Sequence, residues 1–507
     1  MTRLTARSIV TGALLILCTS VLAQTSPRQA NTGMTAEEYE KVVMGLPLFS
    51  EVIDTWNRKS EEGNIARTYT KVRTVKTYPK GEQVIFPKQG DLIIYQLTGL
   101  SYDNPFNRPK DERITSKSTR IVAIDARTKE VLAWKELPLE LKGNPHSTPV
   151  TPDGKFVWAS GPPLTNFEDI ELDESMTDNS GCTSPVCSMI PTTLVKIDAL
   201  TLDAVKVITS PGRLHHGYVF RDEYLLFDTF VKDEDGVDSY IFDPATDQVI
   251  AGVRDAELGG SSYTIWNDQD DEYLYQLMEP KGYGNRKVFD GYISAHWIRM
   301  QNFTALRPFW IAKIRVSNDF SEMEVIREYP YFGYRSAWVE VSGDKQYLYT
   351  APSGMNIACK ISLETGQRVW CTPVGDGPYG VELNADESEL WVANKGETTD
   401  MWGNDITIID TRSGIRQGLI NTGFTTDHII LSPDGKEMWT SSNGSGKLFV
   451  YDAATRDEKA VINMPGFGDP HGVAFVYYDE DDEARLVNDQ HGFHNGINPR
   501  AGKPLEY

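Results

Sequence analysis

One short signal recurs along the chain and leaves few folds open to it: a turn aspartate followed five residues later by an aromatic. It occurs as Asp153/Trp158, Asp222/Phe227, Asp270/Tyr275, Asp344/Tyr349, Asp386/Trp391 and Asp434/Trp439. A second signal alternates with it, an apolar run ending in Asp or Ser with Thr or Ser three residues on: Asp125/Thr128, Asp198/Thr201, Asp243/Thr246, Ser362/Thr365, Asp410/Ser413 and Asp452/Thr455. A degenerate further copy runs through 309–326. Each pair of signals supplies four strands, and the period of roughly 40–50 residues is that of propeller blades. The count gives seven.

The stretch 469–489 has no second half after it, and the first second-half, 118–137, has no clear inner strand before it. The two ends are therefore expected to complete one blade together, which closes the ring and leaves no open sheet edge. A linear solenoid would need capping repeats that the sequence lacks. The expected fold class is all-β: a seven-bladed β-propeller over 81–507, closed by its N- and C-terminal segments.

The N-terminal part lies outside the repeat. Residues 1–23 read as a basic start, a short apolar core and a small-residue cleavage site after Ala23, a secretory signal. The apolar run is shorter than the ~20 residues that span a bilayer, so no membrane anchor is expected and the address is periplasmic or secreted. Residues 24–80 read as a lead-in, with 35–62 rich in helix formers and expected to form a short helix outside the ring. Four insertions, 101–117, 161–192, 279–307 and 396–404, fall between second and third strands. They should emerge on one face as lid loops over the central channel, where binding sites usually lie.

With 50 Lys+Arg against 72 Asp+Glu the formal charge is -22, which disfavours nucleic acid and anionic lipid as partners. An exported compartment permits disulfides. Cys359 and Cys371 flank two strand-like runs around a turn and are expected to pair; Cys182 and Cys187 share a polar loop and are in reach of each other.

The eight histidines are not scattered. Counting back seven residues from each turn aspartate reaches the channel end of the innermost strand: His146, His215, Tyr263, Ala337, Tyr379 and Asp427, with His471 in the matching Pro-His-Gly. His216 and His428 stand one position further on, and His491 and His494 follow the seventh blade's expected second strand. The imidazoles thus come from the sixth, seventh, first and second blades, consecutive around a closed ring. Because neighbouring strand residues point to opposite faces, one of His215 and His216 is expected to turn inward. A lone turn histidine is usually a hydrogen-bonding residue. Seven together, without a metal, would repel when protonated and be poorly satisfied when neutral and buried. His146, His215, His216, His428, His471, His491 and His494 are therefore the candidate metal ligands. Imidazole suits copper, zinc, iron or nickel, and a hydrolytic zinc site typically takes three protein ligands, so this many favours several copper ions, with zinc or another divalent ion as the fallback.

At Asn144-Pro-His-Ser-Thr-Pro-Val-Thr-Pro-Asp153, Arg213-Leu-His-His-Gly217, Thr426-Asp-His-Ile429, Asp469-Pro-His-Gly472 and His491-Gly-Phe-His494 the sequence resembles the copper propellers that include the nitrous oxide reductase catalytic domain and the single-domain thiocyanate dehydrogenases. The resemblance spans roughly residues 80–500, and only the histidine placement is specific. It implies a channel-bound cluster of two or three copper ions that oxidises or reduces a small inorganic species and exchanges electrons with an outside carrier such as a c-type cytochrome. No electron-transfer copper domain follows the propeller, so nitrous oxide reduction is disfavoured. Tyr379 and Ala337 stand where a further ligand would be expected.

In the thiocyanate-like reading the substrate is a small anion, water attacks its carbon, and Asp427, Asp469 and Tyr379 are the candidate catalytic groups, the two aspartates as proton acceptors. Both carboxylates also suit a supporting role behind the ligands. Lys and Arg in 108–120 are placed to draw an anion in. Rival readings are a polysaccharide lyase or a hydrolase using His, Tyr and one divalent ion, and a non-catalytic binding propeller.

Overall fold

The computed structural model describes residues 72–99, 119–141, 145–164, 167, 192–212, 214–229, 237–254, 260–280, 309–333, 338–396, 403–479 and 483–507. The expected signal, the helical stretch 35–62, most of each lid loop, the Cys182/Cys187 pair, Ala337 and His296 lie outside them. Among the described residues helix is confined to short 3-10 turns, and strands form seven separate antiparallel sheets. The chain is an all-β seven-bladed propeller.

Turn chemistry explains the repeat. In the second signal the Asp or Ser side chain accepts a backbone N–H two or three residues on, as in Asp125 with Thr128 at 2.8 Å, Asp198 with Thr201 at 2.9 Å, Asp410 with Ser413 at 2.7 Å and Asp452 with Thr455 at 2.8 Å. This fixes the hairpin between third and fourth strands. The residue four places after each such Asp or Ser has positive φ: Lys129, Leu202, Asp247, Gly366, Gly414 and Arg456. In the first signal the carboxylate instead holds the hairpin between first and second strands, accepting from a hydroxyl two residues back in Thr151/Asp153, Ser342/Asp344 and Ser432/Asp434 at 2.5, 2.6 and 2.6 Å. Each aromatic five residues later enters the core: Trp158, Phe227, Tyr275, Tyr349, Trp391 and Trp439 are all at most 2% exposed. Truncating such a side chain costs ~3–5 kcal/mol, so the repeat is also a repeat of the largest packing contributions.

The ring closes between the chain ends, with one correction to the expected order. The inner strand of the seventh blade is Asp469–Tyr478, and it pairs on its outer side with Leu92–Gly99, followed by Arg120–Asp125 and Val131–Glu136. The second strand of this blade thus comes from the N-terminal half. Ala484–Asp489, expected in that place, pairs with the opposite edge of Asp469–Tyr478 and so stands on the channel side, where it turns back through Gly492–Phe493. Of the lead-in, 72–80 holds no helix, and Thr74–Thr77 adds an edge strand outside Ala204–Thr209 of the first blade.

Candidate metal centre

The channel ends of the inner strands carry an irregularity that sets the site. Strand register shifts between Leu214 and Gly217 in the second blade and between Thr426 and Ile429 in the sixth, each against its neighbouring strand. A bulge sets two consecutive residues against one and re-aims side chains. Both His215 and His216 therefore face the cluster, their ring centroids 3.7 Å apart, which corrects the expectation that only one would. The same device brings Asp427 and His428 into the site together. In the first blade the inner strand is interrupted by Pro145, Pro149 and Pro152 and keeps ladder bonds only around Val150, as prolines dictate.

Five imidazoles from four blades close into a loop. His146 lies 5.2 Å from His215 and 4.8 Å from His471, His216 lies 5.7 Å from His428, and His428 lies 5.5 Å from His471, centroid to centroid. His215, His216, His428 and His471 are each at most 4% exposed. Carboxylates stand behind the rings. Asp228 Oδ1 is 3.2 Å from His215 Nδ1 and Oδ2 is 3.5 Å from His216 Nδ1, while its Oδ1 also accepts the His216 N–H at 2.8 Å. His471 stands between two acids, with Nδ1 3.1 Å from Asp427 and Nε2 3.5 Å from Asp469. Gln490 Oε1 is 2.8 Å from His428 Nδ1.

Of the remaining candidates, Tyr379 and His491 border this loop, whereas His494 lies away from it, beside Asp222 past the far end of the second blade's inner strand. The Tyr379 ring lies 5.8 Å from His428. His491 is one ring removed: it stacks on Tyr218 at 3.7 Å, Tyr218 lies 5.9 Å from His216, and His491 Nε2 is 2.8 Å from the Ile265 carbonyl. His494 is held by Asp489 through Nε2 at 3.0 Å and by Asp222 through Nδ1 at 3.4 Å. The third blade's Tyr263 is on an inner strand, Gly260–Asn267.

Charge follows this geometry. Burial pushes His428 well below the usual histidine value. Burial also opposes charge on His471, but hydrogen bonds to Asp427 and Asp469 outweigh it and raise that ring to about 9. His491 is pushed down to about 3 by burial, and His494, also buried, is raised to about 10 by its carboxylates. Burial alone would raise Asp427; the Lys395 ammonium, with His428 and His471, holds it well below the usual range.

Several groups here escape a reading of the repeat alone. Lys395 sits with Nζ 3.3 Å from Asp427 and 4.3 Å above the Tyr379 ring, and Asn443 donates to Asp427 at 2.6 Å. Trp266 and Trp338, 4.1 Å apart, wall the side opposite the histidines, with Trp338 4.9 Å from His428. Asp228 has a visible signal. Six residues after the turn aspartate the other repeats carry Ala159, Gln276, Thr350, Val392 and Thr440, and a carboxylate at that place is the exception.

The donor set fits a transition metal. Ligand atoms of His215, His216 and Asp228 lie within 4.8 Å of one another, as do those of Asp427, His428 and His471. Both ring nitrogens of His216 and Nε2 of His428 are buried and make no hydrogen bond. A buried polar atom without a partner costs ~1–3 kcal/mol, and a bound cation would remove that cost for imidazole nitrogens.

No protein-family model and no curated protein matches the chain. Among solved structures, the periplasmic gluconolactonase PpgL of Pseudomonas aeruginosa is similar with a TM-score of 0.48 at 13% identity, covering 75% of this chain and 99% of that one. The dihydro-heme d1 dehydrogenase NirN gives 0.45 at 14%, covering 89% and 93%. Hydrazine synthase of Kuenenia stuttgartiensis gives 0.44 at 15%, covering 67% and 90%. These are distant likenesses of fold, and no activity is carried over from them.

Proposed function

We propose that the chain is an exported, metal-dependent oxidoreductase whose channel cluster holds two or three copper ions and acts on a small anionic sulfur or nitrogen species, thiocyanate in the first instance. The observation that carries this reading is the closed loop of five imidazoles, four of them buried and His146 half-buried, with ring nitrogens on His216 and His428 that make no hydrogen bond. His146, His215, His216, His428 and His471 would hold the ions, and Asp228, Asp427, Asp469 and Gln490 would orient the rings from behind. Copper bound there would supply Lewis acidity toward water and a sink for two electrons.

Oxidation of thiocyanate by water forms a carbon–oxygen bond and breaks the carbon–sulfur bond. It releases cyanate, sulfur, two protons and two electrons, and the electrons leave to an external one-electron carrier such as a c-type cytochrome. Asp427 and Asp469 flank His471; Asp469 would accept the protons, while Asp427, held ionised, would orient the ring. Lys395 keeps Asp427 ionised and gives this corner of an acidic protein a positive charge that suits an anion. Tyr379 and Trp338 close the opposite wall and exclude water. The Cys359–Cys371 bridge, between residues directly paired across two strands with Cα atoms 4.1 Å apart, suits an oxidising, exported setting.

Elemental analysis of the purified mature protein after mild dialysis tests the reading. Two or more coppers per chain, with a visible spectrum that changes on adding thiocyanate, support it. One zinc or calcium per chain would favour a propeller hydrolase or lyase using Tyr379 and histidine, and no metal would favour a binding propeller.

A further inference from the structure

The last eighteen residues do more than end the chain. After Gln490, whose side chain meets His428, the backbone turns and crosses the face opposite the histidine ends of the inner strands, meeting every blade in turn. Asn495 Nδ2 lies 3.5 Å from the Pro152 carbonyl of the first blade, and its N–H donates to Asp222 of the second at 3.1 Å. The side-chain amide of Asn498 is 2.9 Å from that of Gln269 in the third. Arg500 reaches the fourth and fifth: it pairs with Glu340, lies 2.7 Å from Glu387 and 4.0 Å from Glu382, and donates to the Val341 carbonyl at 2.8 Å. The Leu505 N–H donates to the Pro433 carbonyl of the sixth at 2.9 Å, and the Tyr507 ring lies 5.6 Å from the Arg127 guanidinium of the seventh.

This attachment differs in kind from that of the blades. The segment pairs Gly492–Phe493 with Asn488 and Asp489 and buries Gln490, His491, His494, Pro499 and Leu505. It packs Phe493, Ile497 and Tyr507 partly buried against the cores and adds one isolated bridge between Asn498 and Lys503; from Asn495 onward its contacts with the blades are mostly polar and fewer than those of a ladder strand. The Arg500 side chain is only 3% exposed, and it is the cation that three glutamates share. Segments with few apolar contacts open at lower free energy than packed strands. Removing one partner of a buried ionic group leaves the others uncompensated, so loss of Arg500 should release the whole segment.

We propose that residues 490–507 form a strap that opens as one unit from the ring, pinned by Arg500, and that this opening sets the rate at which the imidazole cluster exchanges its ligands with solvent. The second half of this statement rests on the metal-site reading above; the first half does not. The strap begins at a residue touching His428, so its release loosens the cluster from behind while the seven sheets stay intact.

Hydrogen exchange with mass analysis on the full chain, alongside copper extraction by a chelator from the loaded protein, tests both halves. In Arg500→Ala, amide exchange should rise about a hundredfold across the whole of 490–507, including the amides of His491, Asn498 and Leu505. The strands 214–220 and 437–442 should stay as protected as in the parent, and copper should leave faster by a similar factor. Arg500→Lys should fall between the two. Faster exchange confined to the neighbours of residue 500, or spreading equally through the blades, would overturn the strap. A released strap with an unchanged copper extraction rate would overturn its control of the cluster. Where Arg500→Ala does not fold, Glu387→Gln gives the same comparison in a milder form. If the parent binds no copper, the metal reading falls and the exchange pattern alone decides the strap.

Discussion

The two sides of the channel mouth are built on the same kind of inner strand and end in different chemistry. On the side of the sixth, seventh, first and second blades the inner strands present His428, His471, His146, His215 and His216, backed by Asp427, Asp469 and Asp228. On the side of the third, fourth and fifth, Trp266, Trp338 and Tyr379 take over, with Trp266 and Trp338 at most 2% exposed. The blade scaffold is shared, so the difference lies in the side chains and in the local strand irregularities that aim them. One half is a donor set that leaves nitrogens without protein partners, and the other is a dry wall that can contribute packing and exclude water. Charge separates them too, since Lys395 and Asp427 meet where the halves join.

The comparison breaks first at His471. His471→Ala should remove metal from the cluster and abolish turnover while the fold survives, read as metal per chain beside far-ultraviolet circular dichroism. Full metal content in this variant would take the residue out of the ligand set. On the other side Trp338→Ala should cost ~3–5 kcal/mol of stability, seen in denaturant unfolding, yet leave the number of bound ions unchanged. Loss of metal there would mean that the aromatic half also shapes the donor set. Asp228→Ala should lower metal affinity by roughly 10–100-fold, measured by competition with a chelator, because His215 and His216 lose the carboxylate that orients both. The smallest effect should be at the boundary. Lys395→Met should raise KM for an anionic substrate by about tenfold, one lost favourable charge contact of ~1.4 kcal/mol, with metal content intact; an unchanged KM would remove Lys395 from anion binding.

What the sequence makes legible divides along the same physical line. Blade number and hairpin positions can be read because the cues are local. Asp125, Asp198, Asp410 and Asp452 bond to their own turns, and Trp158 or Trp439 need only be apolar at a fixed spacing. The gathering of His146, His215, His216, His428 and His471 is legible for the same reason, whereas His491 and His494 are placed by the distant partners Tyr218 and Asp222. What is hidden depends on partners far away. That Ala484–Asp489 stands in the channel, and not as a second strand, follows from Leu92–Gly99 taking the place beside Asp469–Tyr478. The inward turn of both His215 and His216 depends on a register shift that alternation cannot foresee. Arg500 has no motif at all, since its three glutamates come from two other blades.

The closing blade has a consequence for how such a chain comes into being. Leu92–Gly99 finds its partner Asp469–Tyr478 only after nearly the whole polypeptide is available, and contacts of such sequence separation form slowly. Until then one edge of the arc stays unpaired and open to wrong association. His471 arrives on that final strand, so six sheets can be built while the donor set still lacks a member, and capture of an ion would then act as a seal of completed assembly.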